Sequence, residues 1–344
     1  MASAEISICW IVTDGNPGGL NQCLGLAEAL GLAPVVKRVA LRAPWRQLSP
    51  YLRWGHAHAF TKDSDALTPP WPDLLIASGR QSIAAALHVR EMGKRDGHRV
   101  VTVFVQNPGI SPSHFDLVIA PEHDRVVGEN VLSTRGALHR ITRERLEQGA
   151  AKLLPRIAHL PRPYIGVLIG GANASYSFGR DEMRKLADAL IRAARENGGS
   201  LLVTASRRTG EENMAVLRSA LAGTSCFLWG GEGDNPYFGL LGLADHIVVT
   251  NDSVSMVSEA VATGKPVHVF ALPGKAGRSR KSRKFARFHA DMAQAGWTRP
   301  FEGVLQGYDR PATPQETIRA AETVRVLIAR EKGDEVPPMP FAKK

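Results

Sequence analysis

The sequence contains few cysteines and no long apolar run. Only three of its 344 residues are cysteines, and neither a CxxC motif nor a Cys/His metal spacing connects Cys9, Cys23 and Cys226. These features argue against a disulfide framework and a structural zinc site, and they favour a reducing compartment. No stretch approaches the roughly 20 apolar residues of a membrane-spanning helix, and the N-terminus lacks the basic start of a signal peptide. We therefore expect a cytoplasmic protein, at most peripheral at the inner face of the membrane.

Several common ligand-binding motifs are also missing. The glycine-rich stretch at 14–19 (DGNPGG) does not match GxGxxG, and no GxxxxGK[ST] occurs. A dinucleotide site is therefore weakly supported, and a Walker-type ATPase is not implied. No RNP, zinc-finger or helix-turn-helix signature is present, so we expect no specific nucleic acid partner. No DxD-like pair lies in a suitable loop, so we expect no metal site.

The overall composition is that of a soluble globular protein with an excess of basic residues. Hydrophobic residues make up 44% and charged residues 22% of the chain, which excludes a disordered or low-complexity protein. The 43 Lys and Arg exceed the 33 Asp and Glu, which leaves a formal net charge of +10. A basic protein favours an anionic partner, here a nucleotide, a nucleic acid or a membrane headgroup.

Short apolar runs alternate with helical patterns twice along the chain. The runs predict buried parallel strands joined by helices, at 6–13, 35–41, 74–78, 100–106 and 116–121, and again at 165–171, 201–206, 226–230, 246–252 and 267–272. A proline-rich stretch at 150–163 separates the two series and is typical of a linker. The pattern predicts an α/β protein with two Rossmann-like domains, whose parallel sheets face across a cleft with the ligand at the strand C-termini.

The domain boundaries follow from the same pattern. We place the N-terminal domain at 1–155, the C-terminal domain at 163–314, a last helix at 315–332 and a tail at 333–344.

The strongest functional segment is 246–272, where a predicted strand runs into a helix. Ser253 and Ser255 lie at the start of that helix, whose free N–H groups and positive dipole end suit a phosphate. Glu259 follows four residues after Ser255 on the same face, where a carboxylate can accept both hydroxyls of a ribose. The alternative is that Asp252 or Ser253 only caps the helix and Glu259 is solvated. Spacing alone leaves both interpretations open.

The run DSVSMVSEAVATGKPV at 252–267 resembles the donor-binding helix of two-domain glycosyltransferases of the GT-B type. It is more specifically similar to the mitochondrial-fission (elongated-mitochondria) family of plants and its bacterial relatives, often described as nucleoside-diphosphate-sugar enzymes. Other segments agree with that family over nearly the whole chain: TDGNPGGLNQCLGLAEALG at 13–31, IGVLIGGANASY at 165–176, TASRRTG at 204–210 and KFARFHADMAQAGWTRPF at 284–301.

The resemblance implies a GT-B fold with the donor nucleotide on the second domain and a last helix that crosses back to the first. It implies that the donor diphosphate is held by Gly170, Gly171, Asn173, Ser253 and Ser255, and the ribose by Glu259. Gly170 and Gly171 would let the backbone approach the ligand, although a glycine pair is also common in a plain tight turn.

Three further residues have weaker support at the donor and catalytic positions. Of the pair Arg207 and Arg208, we expect Arg207 to point inward and stabilise the leaving diphosphate. Tyr237 is expected to stack on the base, with core packing as the alternative. Asp14 is the candidate catalytic base, because a carboxylate at a strand end can take a hydroxyl proton, and capping the following turn is its alternative role.

The acceptor side would be the glycine-rich loop that contains Gly18, Gly19, Asn21 and Gln22. Some GT-B enzymes carry a catalytic histidine in this loop, where the present sequence has Asn21 and Gln22. The catalytic base is therefore not assigned by the resemblance, and this difference favours a protein that binds without catalysis.

Two basic surfaces complete the candidate features. The run at 275–287 carries seven basic residues and no acid, and Phe285, Phe288 and Met292 give its helix an apolar stripe. The segment at 43–60 mixes Trp and Arg side chains, which is typical of a membrane interface. A solvated helix face and a loop packed on the first domain are the respective alternatives.

These observations predict a glycosyltransferase that uses a nucleotide-diphosphate sugar as substrate, without a metal or another cofactor. Its partners are expected to be the nucleotide sugar and an anionic membrane surface or a lipid-linked acceptor. The alternatives are a nucleotide-sugar epimerase of the same fold and a non-catalytic recruiter of the mitochondrial-fission type.

Overall fold

The computed structural model describes residues 6–52, 55–275, 280–331 and 333–334. The chain forms two compact units, divided after Arg140 and before Gln315. The first unit begins with β1 Cys9–Thr13, α1 Pro17–Ala29, β2 Val35–Arg38, α2 Trp45–Leu48, β3 Leu74–Ser78, α3 Ser82–Arg95, β4 Val101–Val105, β5 Leu117–Pro121 and β6 Val131–Thr134.

The second unit contains the next six helices and six strands of the chain. They are α4 Arg143–Ile157, β7 Tyr164–Ile169, α5 Arg180–Asn197, β8 Ser200–Ala205, α6 Glu211–Leu221, β9 Cys226–Leu228, α7 Tyr237–Leu243, β10 His246–Thr250, α8 Val254–Ala262, β11 Val267–Phe270, α9 Arg280–Gln294 and β12 Thr298–Pro300. The last helix, α10 Glu316–Glu331, belongs to the first unit.

The first unit is built on a six-stranded parallel sheet in the order β2-β1-β3-β4-β5-β6. Every residue of β1, β3, β4 and β5 is buried, because helices cover both faces of a parallel sheet. Helix α10 packs Ala320, Val324 and Leu327 into the same core as Ile11 and Leu26. Helix α10 therefore completes the hydrophobic core of the unit that begins with β1 and α1.

The second unit has a six-stranded parallel sheet in the order β12-β11-β10-β7-β8-β9. The chain builds β7, β8 and β9 in one direction and then returns to add β10, β11 and β12 on the other side. Strands β7 and β10 are therefore the neighbours at which the order of the sheet reverses. Such a reversal leaves a crevice beyond the strand C-termini, where open α/β sheets bind ligands.

Helix α4 occupies part of the segment that the sequence predicted as a linker. The Thr142 hydroxyl caps its first turn by accepting the Arg145 N–H at 3.2 Å, and Pro155 lies in its last turn. The helix packs backbone to backbone on α7, since a Cβ added at Gly149 would lie 2.6 Å from the Gly239 nitrogen. This contact places α4 in the second unit. The sequence pattern did not predict α4, and it did not predict the short edge strands β6 and β12.

The described residues lack two features associated with membranes and metals. None of their helices is long and apolar enough to cross a bilayer. No three His, Cys, Asp or Glu side chains among them form a group that could hold a metal ion.

His268 is a buried titratable group in the core of the second unit. Its side chain is 2% exposed on β11, and the rings of Tyr308 and Phe301 meet its ring edge-on. Its Nε2 atom has no hydrogen-bond partner among the described residues. Burial, with a smaller contribution from His246, lowers the pKa of His268 to about 4, so the folded protein holds a neutral ring here.

We predict that His268→Phe flattens the pH dependence of stability. A histidine in the unfolded chain has a pKa of about 6.5, so the unfolded chain binds this proton first as the pH falls. As the pH falls from about 6.5 to about 4, this histidine therefore lowers the free energy of unfolding by about 3 kcal/mol. Urea unfolding at pH 7 and pH 4.5 should show a smaller drop for His268→Phe than for the wild type. The exposed His58→Gln should behave as the wild type, and equal drops for all three proteins would contradict the prediction.

Candidate functional site

The candidate site of the second unit lies at the reversal of its sheet. Gly170 and Gly171 follow β7, while Asn251 and Asp252 follow β10. The two strands run parallel and in contact, with Val249 opposite Leu168, so both loops leave the same edge. The sheet order thus brings together segments that lie about eighty residues apart in the sequence.

The side chain of Asp252 is fully buried and organises three loops. Its carboxylate accepts the Gly171 N–H at 3.0 Å, the Thr250 hydroxyl at 2.6 Å and the Arg208 guanidinium at 2.8 Å. Gly171 and Arg208 lie in the segments that follow β7 and β8, and Thr250 is the last residue of β10. A buried carboxylate is stable only when charged and polar partners replace its water. Asp252 therefore has a structural role, because it holds these segments together directly before the start of α8.

The two glycines allow a close approach between loops of the protein itself. A Cβ added at Gly170 would collide with the Asp252 carboxylate, and one at Gly171 with the Arg208 carbonyl. The Gly170 N–H also donates to the Thr250 hydroxyl at 2.8 Å. Protein atoms therefore already require glycine at both positions, whatever ligand binds nearby.

The structure places Arg208, and not Arg207, against the buried groups of the site. The Arg208 guanidinium donates to Asp252 and, at 3.2 Å, to the Gly171 carbonyl, although both arginines are exposed residues. The turn Arg207–Thr209 after β8 determines which of the two arginines contacts Asp252. Two adjacent arginines in a sequence do not reveal this. Within the described part of the chain, two of the five guanidinium donors of Arg208 are engaged, and its side chain is 42% exposed.

Ser253 and Ser255 lie at the start of α8, as the sequence predicted. Ser253 is the N-cap, and its hydroxyl oxygen accepts the Met256 N–H at 3.3 Å. Capping uses only the acceptor side of the hydroxyl, so its O–H can still donate to another group. Ser255 is half-buried in the first turn, and that turn contains no acidic side chain.

Glu259 is buried and paired with Tyr237, so it does not lie on a solvated face. Glu259 is 9% exposed, and the Tyr237 hydroxyl donates a short hydrogen bond to its Oε2 atom. Burial, together with the Glu259 charge, raises the pKa of Tyr237 well above its ordinary value. The phenol therefore stays protonated at physiological pH and acts as the hydrogen-bond donor to the carboxylate.

Asn173 shapes the loop after β7. Its Oδ1 accepts the N–H groups of Ser175 at 2.7 Å and Tyr176 at 3.0 Å, and its Nδ2 donates to the Asp252 carbonyl at 3.0 Å. The side chain thus joins this loop to the start of α8. Most of its hydrogen-bonding capacity is used inside the protein.

His289 is a component of the site that the sequence reading did not identify. Its Nε2 lies 2.7 Å from the Asn251 carbonyl, and its Nδ1 is buried with no partner among the described residues. Burial lowers the pKa of His289, with smaller opposing contributions from Asn251 and Asp252. Its position four residues after Phe285, on the apolar face of α9, was the available signal.

Asp14 occupies the equivalent reversal in the first unit, between β1 and β3. Its Oδ1 accepts the Asn16 N–H at 3.3 Å, and a Cβ added at Gly79 would lie 2.5 Å from the same oxygen. The Asn16 side chain caps α1 by accepting the Gly18 N–H at 3.1 Å. Asp14 thus stabilises the turn that leads into α1, the alternative role that the sequence left open.

The four acceptor-loop residues have different environments around the start of α1. Gly18 and Gly19 form its first turn, and Gly19 faces the buried Ser78, whose Oγ would lie 2.7 Å from an added Cβ. Gln22 is buried and donates through Nε2 to the Gly18 carbonyl at 3.2 Å. Asn21 is exposed on the helix surface.

Both basic surfaces extend beyond the described residues. In the run at 275–287, positions 276–279 lie outside the description, while Phe288 and Met292 of α9 are buried. In the segment at 43–60, Arg53 and Trp54 lie outside it, while Leu48 is 51% and Tyr51 75% exposed.

Two six-stranded parallel units of this kind define the GT-B class of two-domain α/β proteins, as the sequence predicted. The S. aureus MnaA–UDP co-structure matches with a TM-score of 0.55 and 13% identity, over 97% of this chain and 100% of that one. UDP-GlcNAc 2-epimerase from Neisseria meningitidis, bound to UDP-GlcNAc, matches with a TM-score of 0.50 and 11% identity, over 92% and 98% of the two chains. At these identities the likeness concerns the fold alone.

The chain belongs to the mitochondrial fission ELM1 family, whose sequence model matches residues 17–328. The mitochondrial fission protein ELM1 of Arabidopsis thaliana is 26% identical over 396 aligned positions, which cover 93% of this chain and 90% of the relative. These matches confirm the family resemblance that the motifs indicated.

We predict that Asp252→Ala lowers the free energy of unfolding by about 3 kcal/mol, because it leaves the buried Gly171 N–H and the buried Thr250 hydroxyl without their acceptor. Asp234→Ala, at an exposed loop position of the same unit, should change it by less than about 0.5 kcal/mol. Urea unfolding of the three proteins measures the difference. Indistinguishable midpoints would show that Asp252 does not hold the loops together.

Proposed function

We propose that the second unit binds a nucleoside-diphosphate sugar at the reversal of its sheet, and that the protein is a metal-independent glycosyltransferase. The observation that carries this proposal is the construction of α8. Its N-terminus, beside Arg208, is suited to an anion, and the same helix carries the buried carboxylate of Glu259 less than two turns further on.

The start of α8 supports diphosphate binding. The first N–H groups of a helix lack intrahelical partners, and the dipole favours a negative charge there. Ser253 satisfies one of these N–H groups, and no acidic residue of the first turn competes with a ligand. Arg208 adds guanidinium donors at the same edge of the sheet.

The position of Glu259 supports ribose binding. Glu259 lies six positions after Ser253, or about 9 Å further along the helix axis. That length is comparable with the span from the diphosphate to the ribose hydroxyls of one nucleotide. A carboxylate is an acceptor for two adjacent hydroxyl groups, and burial strengthens such charge-assisted hydrogen bonds.

In the proposed reaction the diphosphate leaves as the sugar passes to an acceptor hydroxyl. Arg208 and the N-terminus of α8 would stabilise the negative charge that develops on the diphosphate, with Arg207 beside them on the exposed side of the turn. Asp14 would take the acceptor proton, and the α1 loop of Gly18, Gly19 and Asn21 would bind the acceptor.

Two alternatives are each favoured by specific observations. An epimerase acting on a nucleotide sugar is favoured by the name of the Neisseria meningitidis neighbour, a UDP-GlcNAc 2-epimerase. A non-catalytic protein that recruits a fission partner is favoured by the name of the plant relative, and by Asn21 and Gln22 at the place of the acceptor-loop histidine.

We predict that a nucleoside diphosphate raises the melting temperature of the wild type and that Glu259→Gln weakens its binding by about 10- to 100-fold. The reason is the loss of a charge-assisted hydrogen bond, worth about 1.5–3 kcal/mol. Thermal shift with UDP, GDP, ADP and CDP identifies the base, and calorimetry measures affinity. The exposed Glu232→Gln of the same unit is the matched control. Equal affinity of all three proteins would remove Glu259 from the ribose site.

The product distinguishes the three functions. Incubation with the matching nucleotide sugar and a lipid extract as the source of acceptor, in EDTA, should release the nucleoside diphosphate and form a glycosylated lipid if the protein is the proposed glycosyltransferase. A sugar of inverted configuration still attached to the nucleotide would instead identify an epimerase. Binding without either product would favour the recruiter.

We further propose that the segment at 43–60 contacts an anionic membrane or a lipid-linked acceptor. Residues 29–62 contain six Lys and Arg but no Asp or Glu, and Leu48 and Tyr51 are exposed among them. Basic residues beside exposed apolar side chains suit an anionic lipid surface.

We predict that the double substitution Leu48→Ser with Tyr51→Ser reduces co-sedimentation with phosphatidylglycerol vesicles several-fold. The loss of apolar burial at the interface is the physical reason. Ile318→Ser, at a position that is 50% exposed on α10, is the control. Unchanged sedimentation of the double variant would contradict a role for this segment.

A further inference from the structure

We propose that His289 and Ser175 bind hydroxyl groups of the sugar that the diphosphate carries, and that this pair determines which sugar the second unit accepts. This role rests on the proposed nucleotide site and concerns a part of the ligand for which the sequence predicted no residue. Both side chains carry a buried polar atom without a hydrogen-bond partner among the described residues.

The contacts of His289 determine which of its ring atoms is available. A carbonyl oxygen only accepts, so the Nε2 atom, 2.7 Å from the Asn251 carbonyl, carries the ring proton. Burial lowers the pKa of His289, which keeps the ring neutral and makes its Nδ1 atom an acceptor. A sugar hydroxyl can donate to this acceptor, whereas an ionised diphosphate has no proton to donate. His289 therefore suits the sugar and not the diphosphate.

Ser175 provides a second hydrogen-bonding group, in the loop after β7. Ser175 is 3% exposed, its N–H donates to the Asn173 side chain at 2.7 Å, and its carbonyl accepts the Lys275 N–H at 2.9 Å. The backbone of Ser175 is therefore held on both sides, while its Oγ atom has no partner in the described part of the chain. A hydroxyl both donates and accepts, so Oγ can bind a sugar hydroxyl in either direction.

The loop after β7 packs directly on α9, which carries His289. The Tyr176 ring meets the Phe285 ring edge-on, with 5.4 Å between their centroids. Tyr176 directly follows Ser175, and Phe285 lies one turn before His289. Side chains of a helix lean toward its N-terminus, so the His289 ring covers the turn of α9 that contains Phe285. Both unpartnered groups are therefore placed where this loop meets α9.

This junction borders the segment that leads into α8. His289 contacts the carbonyl of Asn251, and the Asn173 side chain donates to the carbonyl of Asp252 at 3.0 Å. The next residue, Ser253, is the N-cap of α8. A group that binds the sugar of a nucleotide sugar has to lie next to the diphosphate, and the junction meets this requirement at the proposed diphosphate site.

Buried groups that lack partners make the site selective for the hydroxyls of its ligand. A buried acceptor or hydroxyl is costly when it stays unpaired, and a sugar hydroxyl at the right position removes that cost. A nucleoside diphosphate without a sugar leaves both groups unpaired. The intact nucleotide sugar should therefore bind more tightly than its diphosphate, by roughly 10-fold for each hydroxyl that is bound.

The test measures, by calorimetry in EDTA and without an acceptor, the ratio of the affinities for a nucleotide sugar and for its diphosphate. The probes are UDP-glucose, UDP-N-acetylglucosamine, GDP-mannose, ADP-glucose and CDP-glucose, each compared with its own nucleoside diphosphate. The wild type should bind at least one of these sugars more tightly than the diphosphate, by roughly 10-fold or more. Equal affinity for every pair would overturn the inference.

Three variants separate the role of each atom. His289→Gln keeps an N–H near the position of Nε2 and removes the Nδ1 acceptor, while His289→Asn keeps an acceptor near Nδ1 and removes the donor to Asn251. Ser175→Ala removes the hydroxyl. His289→Gln and Ser175→Ala should each lower the ratio by roughly 5- to 10-fold, and His289→Asn should lower it less. The exposed His159→Gln of the same unit is the control.

The ratio of two affinities of one variant does not depend on its overall stability, so a destabilised variant still gives a valid result. Equal weakening of the nucleotide sugar and of the diphosphate would reduce His289 and Ser175 to structural roles and overturn the inference. An unchanged ratio in both His289→Gln and Ser175→Ala would overturn it as well, since the sugar would then be bound elsewhere.

Failure of the proposed function gives a different result. If the wild type binds none of the diphosphates and none of the nucleotide sugars, both the nucleotide site and the sugar-binding pair are wrong. If the wild type binds the ligands and prefers a sugar, while the variants keep the full preference, only the role of His289 and Ser175 is wrong.

Discussion

The buried carboxylate of Asp252 is the interaction on which the candidate site of the second unit depends. Its three donors come from the loops after β7 and β8 and from the last residue of β10, so one side chain joins Gly171, Arg208 and the start of α8. A charge in a fully buried position needs all of these partners. The rest of the site follows from this requirement: glycines where the loops touch, an arginine turned inward, and a serine cap directly after the aspartate.

The helix that starts at this carboxylate combines two kinds of chemistry over nine residues. Its N-terminus has N–H groups for an anion, and its second turn carries Glu259, which Tyr237 of α7 holds in place. Helices α7 and α8 contribute Leu240 and Val257 to one core of the second unit, and this packing sets the positions of the anion site and of the carboxylate. A site with such fixed geometry is suited to a ligand that is long, anionic at one end and rich in hydroxyls next to it.

The parts of the site that could be predicted from the sequence are those that depend on neighbours along one helix. Helical spacing alone places Ser253 and Ser255 at the start of one helix and Glu259 further along the same helix. The choice between Arg207 and Arg208, the pairing of Tyr237 with Glu259 and the presence of His289 could not be predicted. Each depends on which distant loop faces the residue, and an edge strand as short as β12 carries too little apolar pattern to be found.

By itself the sequence determined the class of fold, the family and the helix that carries the candidate ligand groups. Buried strands and amphipathic helices leave local patterns, and a family leaves motifs, so neither requires knowledge of distant contacts. Only the tertiary structure decided which residues meet at the reversal of each sheet, and that α4 belongs to the second unit. Strand order and the pairing of buried charges join residues that are 44 and 81 positions apart around Asp252. Such contacts are selected by the free energy of the whole packed unit, which no local pattern records.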